Sequence, residues 1–130
     1  MRPIIEKLRA MELEVVAEKG EFTLFALFLR ENAPNVWDLL ASAPWIDTDT
    51  WEALGYLAKK INKYLTVDEV IKISHIAIID GNNPGLSDVL DYFHVEHGKK
   101  EFFNRTMMGQ DIQHGYVFTS RGGEVLDLAA

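Results

Sequence analysis

No cysteine occurs among the 130 residues. That absence excludes disulfide staples, thiolate metal sites and cysteine nucleophiles, and it fits a reducing cytosol. A chain without staples must be held by burial. At 130 residues and 48% hydrophobic content, this one is long and apolar enough for one core of ordinary globular composition. Long apolar runs are missing too. The longest, FTLFALFL at 22–29, falls far short of the ~20 residues a spanning helix needs. The opening MRPIIEKLRAMELEVV carries Glu6, Glu12 and Glu14 where an export signal needs an unbroken apolar core. A soluble, cytoplasmic protein with no membrane partner is expected.

Basic charge is scarce: 13 Lys and Arg stand against 20 Asp and Glu, a formal net charge of −7. Nucleic-acid binding depends on Lys and Arg neutralising phosphates, so nucleic acid is not an expected partner. The only basic pairs, Lys59–Lys60 and Lys99–Lys100, are isolated. Catalytic signatures are lacking as well. There is no glycine–lysine P-loop, no GxGxxG, no GxSxG and neither HExxH nor HxxEH. No repeat, low-complexity tract or domain linker interrupts the chain.

What is present has clear periodicity. Ile4, Leu8, Met11 and Val15 line one face of a helix over 3–18, opened by Pro3 and closed by Gly20. FTLFALFL has no helical period. As a strand it sets Phe22, Leu24, Ala26 and Phe28 against Phe25, Leu27 and Leu29, apolar on both faces, so helices are expected above and below the sheet. The turn ENAPN leads to a second strand in which Val36, Asp38, Leu40 and Ser42 alternate with Trp37, Leu39, Ala41 and Ala43. So short a connection makes the two an antiparallel hairpin. DTDTWEALGYLAKKINKYL reads as a helix burying Trp51, Leu54, Leu57, Ala58 and Ile61, followed by a short helix with capping-box spacing at Thr66 and Glu69. ISHIAIID is expected as a central strand, parallel to the second because a long helical crossover separates them. A further helix carries Leu86, Val89, Leu90 and Phe93 inward and runs on through HVEHG. Two strands joined near Gly109 follow, and HGYVFTSR, the last of them, is expected at an exposed sheet edge. The fold class is thus α/β: a single domain over 1–121 with a mixed sheet of about five strands, helices on both faces and the order α-β-β-α-α-β-α-β-β. Residues 122–130 are expected as a frayed tail.

Chemistry concentrates between Lys72 and Lys99. No Lys or Arg falls there, while Asp80, Asp88, Asp91, Glu96, His75, His94 and His97 do. The loop IIDGNNPGLSD leaves a strand and enters a helix, where open α/β sheets commonly place ligands, so Asn82 and Asn83 are candidate ligand-binding residues. Asp80 is a candidate base or cation ligand. His94 and His97 have the spacing of two ligands on one helical face, and Glu96 is a candidate base between them. A divalent metal held by Asp80, His94 and His97 would make the chain a metal-dependent hydrolase acting on a phosphoester. The plainer account of HVEHG is a helix end, with Gly98 as left-handed cap and His97 favoured by the helix dipole. Asn83 and Pro84 likewise suit a helix start, and His75 suits a hydrogen-bonded place in the core. On this account no cofactor is expected, and the chain reads as a small acidic interaction or regulatory module, self-associating as a homodimer and meeting an unidentified protein partner.

Overall fold

The apolar segment at 22–29 supplies the middle strand of a five-stranded sheet. The structure, a computed structural model, describes residues 1–121, with Ser74 described by its backbone alone. The tail over 122–130 lies outside the described residues. In chain order the elements are α1 (Arg2–Lys19), β1 (Leu24–Arg30), β2 (Trp37–Ser42), α2 (Pro44–Thr48), α3 (Thr50–Tyr64), α4 (Val67–Ile71), β3 (Ile73–Ile78), α5 (Leu86–Tyr92), β4 (Lys100–Met107) and β5 (Gln110–Ser120). The expected order stands, with the five-residue α2 added where Pro44 ends the second strand. The sheet runs β3-β2-β1-β5-β4. β1 pairs antiparallel with both β2 and β5, β4 pairs antiparallel with β5, and β2 with β3 is the parallel pair.

Both faces of β1 are buried, as its lack of alternation requires. On one face α1 and α3 press Ile4, Leu8, Met11, Val15, Leu57 and Ile61 onto Phe25, Leu27 and Leu39. On the other, α5 presses Leu86 and Val89 onto Leu24, Ala26 and Val117. Phe22 joins the first core rather than the second, because the chain bends at Thr23 before β1 begins. The helices are started locally. The Asp49 carboxylate accepts from the Glu52 N–H at 3.1 Å, and Thr66 with Glu69 forms a capping box at α4. Gly115 is needed in β5 because the Phe102 ring lies where a side chain would begin.

Five expectations are corrected. β3 is not central but an outer strand, and β5 is not an edge: it lies between β1 and β4. Trp51 is 83% exposed, since it precedes the Ala53–Leu57–Ile61 row by which α3 meets the core. The last helix does not reach HVEHG. It ends at Tyr92, and Val95 instead makes a two-way backbone bridge to Ser120, at 3.2 and 2.8 Å. His97, not Gly98, takes the left-handed conformation, with φ 51°.

Candidate functional site

Register alone gathers a charged cluster. Phe28 of β1 stands opposite Asp38 of β2, and Asp38 stands opposite His75 of β3. Side chains two apart share a sheet face, so Phe28 and Arg30, Asp38 and Leu40, and His75 and Ala77 all point the same way. That face is the one α5 covers in part, but over β2, β3 and the end of β1 it stays open. The result is a cleft of about 370 Å3, floored by Phe28, Leu40 and Ala77. One wall is Ile79, Asn83 and Gly85, from the loop after β3; the other is Met108 and Gln110, from the β4–β5 turn.

The turn that makes the second wall is conformationally costly. Met108 and Gly109 have φ of 52° and 76° between the paired residues Met107 and Gln110, the pattern of a tight two-residue hairpin. A left-handed conformation costs a residue other than glycine roughly 1–2 kcal/mol. In that conformation the Met108 side chain packs against Gly85, where a Cβ would stand 3.1 Å from its Cγ. The two walls therefore meet.

Asp38 is 7% exposed and organises the polar end of the cleft. Its Oδ2 lies 2.7 Å from Arg30 Nε and its Oδ1 lies 3.2 Å from His75 Nδ1. The Arg30 side chain is 27% exposed and that of His75 55%, so a buried carboxylate holds two partly open donor groups in fixed places. His75 is thus not a core histidine: the outer position of β3 leaves its ring at the cleft wall. Chemically the cluster can orient a polar or anionic group against an apolar floor. A carboxylate on Nδ1 also fixes the orientation of an imidazole, as acid–base sites require.

The residues proposed from sequence lie elsewhere, except for Asn83. The Asp80 carboxylate accepts the Asn82 N–H at 2.7 Å and the Asn83 side-chain oxygen accepts the Gly85 N–H at 2.8 Å, so both side chains shape the loop. Asn83 also lines the cleft, whereas Asn82 is exposed beside it. His94 is exposed between α5 and the Val95 bridge, and Glu96 pairs with Arg121. His97 faces α1: its Nδ1 lies 3.4 Å from Glu12 and its Nε2 3.2 Å from Glu21. Among the described residues no group of three or more His, Asp or Glu side chains is arranged to hold a metal ion. Asp80, His94 and His97 are not brought together.

Around His97 the structure builds a second polar cluster. Glu12 is 1% exposed and accepts from the Thr119 hydroxyl, which in turn accepts the His97 N–H at 3.1 Å. Burial raises the Glu12 carboxyl above its ordinary pKa, against the lowering effects of Thr119 and His97. This cluster ties α1 to β5. Glu12 carries no motif that marks it in the sequence, although it continues the Ile4–Leu8 row at a spacing of four.

No family model, curated protein or solved structure matches the chain. No helix among the described residues is long and apolar enough to cross a membrane.

Proposed function

We propose that this chain is a small interaction or regulatory module that acts by binding, with the cleft over β1, β2 and β3 as its binding element and no resident cofactor. One observation carries the reading: Asp38, buried, is held between Arg30 and His75 at the end of an apolar-floored cleft. A buried ion pair adds little net stability against a well-packed apolar alternative, so stability alone gives this cluster a weak reason to exist. Few polar groups fixed beside an apolar floor are the usual make-up of a small-ligand site, and groups already fixed lose little freedom on binding. The metal-dependent hydrolase has less support, because Asp80, His94 and His97 stand apart.

Self-association as a cytoplasmic homodimer belongs to the same proposal. The outer edges of β3 and β4 are unpaired among the described residues. β4 carries Lys100, Glu101 and Arg105 and is distorted at Asn104, with φ 52°, features that discourage pairing. β3, Ile73–Ile78, has no Asp, Glu, Lys or Arg, which makes it the better edge for a second copy.

The test is amide NMR of labelled protein against a chemically mixed panel of small fragments. Shifts clustered at Arg30, His75, Asn83, Met108 and Gln110 are expected. A panel in which no fragment perturbs those residues removes the binding-cleft reading. Sedimentation over a wide concentration range that finds monomer alone removes the homodimer.

A further inference from the structure

We infer that the cleft takes a small organic monoanion: a compact carboxylic acid with an apolar body. The inference rests on the binding-cleft reading and names its ligand class. Charge is the first ground. The whole chain carries a formal −7, yet among the described residues the one acidic side chain lining the cleft is Asp38. That carboxylate is turned onto Arg30 and His75, so the cleft is an island without surplus negative charge in an acidic protein. The nearby Asp80 is not part of the lining, and one of its oxygens is engaged by the Asn82 N–H. An anion arriving there meets a guanidinium and an imidazole, both partly open, with the neutral Asn83 and Gln110 on the two walls.

Shape is the second ground. A volume of about 370 Å3 lies at the small end of the ~300–1,000 Å3 found for small-molecule sites. The floor of Phe28, Leu40 and Ala77 suits a hydrocarbon or aromatic body, which a bare inorganic anion lacks. Arg is the side chain best matched to a planar carboxylate, because its donors form a rigid fork. A dianion is disfavoured, because Asp38 already balances the Arg30 charge.

The probe pair is phenylacetate and its neutral isostere phenylacetamide, each titrated into the full chain and followed by amide NMR. The acid is expected to shift Arg30, His75 and Gln110 and to bind about tenfold or more tightly than the amide, the scale of one charge-assisted hydrogen bond. Arg30→Gln is expected to abolish that preference. Should Arg30→Gln fail to fold, Ala77→Phe fills the floor while leaving the ion pair in place, and it is expected to abolish binding of both probes. Equal affinity for acid and amide overturns the monoanion and leaves the cleft reading standing. So does a fragment panel whose cleft-binding members are all neutral. Binding of the acid that survives in Ala77→Phe overturns the inference by placing the site elsewhere.

Discussion

Asp38 and Arg30 offer the sharpest quantitative test, because the pair is close, partly dry and flanked by a third group. At 2.7 Å and an effective dielectric of ~20, two unit charges attract by about 6 kcal/mol. Removing each ion from water costs several kcal/mol, which offsets most of that attraction. Arg30 keeps some contact with water at 27% exposure, so its share of the cost is the smaller. Asp38→Asn leaves the guanidinium facing an amide, an expected loss of about 1.5–3 kcal/mol. Arg30→Met keeps the packing of the stem but leaves a buried carboxylate with His75, an expected loss of about 3–5 kcal/mol. The double variant removes both charges, so its loss should fall short of the sum by a coupling of about 1–3 kcal/mol. Urea titration of the four proteins at pH 7, with unchanged denaturant slopes, measures this directly. A coupling within ~0.5 kcal/mol of zero would mean that the pair is screened and that the cleft's polar end is not preorganised. That result would refute the electrostatic role assigned to the pair.

Burial of β1 on both faces predicts a loss of ~3–5 kcal/mol for Phe25→Ala, which is fully buried and stacked on Phe22 at 4.6 Å. Phe103→Ala, 57% exposed on β4, should cost less than ~1 kcal/mol. Similar losses at the two sites in urea would contradict the layer assignment. The pH dependence has two opposing parts. Hydrogen bonds from Lys60, Lys63 and Tyr64 hold Glu14 down to about 2 from an ordinary 4.5, so its contribution is present above 4.5 and is lost as the pH falls towards 2. Glu12 is raised by burial, so its contribution is present below 4.5 and is lost as the pH rises through its folded-state value. Thermal melts should therefore show wild type losing ground to Glu12→Gln as the pH rises above 4.5; parallel curves would rule out a raised Glu12. Zinc and manganese should leave the melting temperature unchanged. A rise that vanishes in both His94→Ala and His97→Ala would restore the metal-dependent hydrolase.

Much of the fold was legible because β1 is apolar on both faces while β2 alternates. The hairpin, the parallel pairing of β2 with β3 and the two covered faces all followed from that and from connection lengths. Strand order was hidden. ISHIAIID is nearly all apolar, the usual mark of a central strand, but an outer strand packed on helices beneath and lining a cleft above needs much the same residues. HVEHG misleads for a different reason. Nothing before Gly98 signals a helix stop, and the helix ends at Tyr92 because Phe93 is buried and Val95 pairs with Ser120. The Ser120 partner comes from a strand more than twenty residues away, and this pairing overrides local propensity.

The cleft cluster was half legible. Arg30, Asp38 and His75 form no motif, being separated by 8 and 37 positions, so no spacing rule could collect them. A physical rule could have. Asp38 shares its predicted face with Leu40 in a strand paired to one that is apolar on both sides, and a carboxylate buried there must find a donor. The hairpin places the end of β1 beside it, where Arg30 is the nearest cation in the sequence. The parallel crossover places β3 on its other side, where His75 is the one side chain in Ile73–Ile78 able to carry a charge. An inward carboxylate in a middle strand therefore points to both neighbours once the pairing is known. By the same logic Glu12 calls for partners on the strands beneath α1, and the Thr119 hydroxyl meets that demand. The two buried acids differ in consequence. Glu12 meets a hydroxyl and a histidine in an enclosed layer, where raising its pKa relieves the burial. Asp38 meets a guanidinium at the wall of a cleft, where the same requirement leaves two donor groups facing space that a ligand can enter.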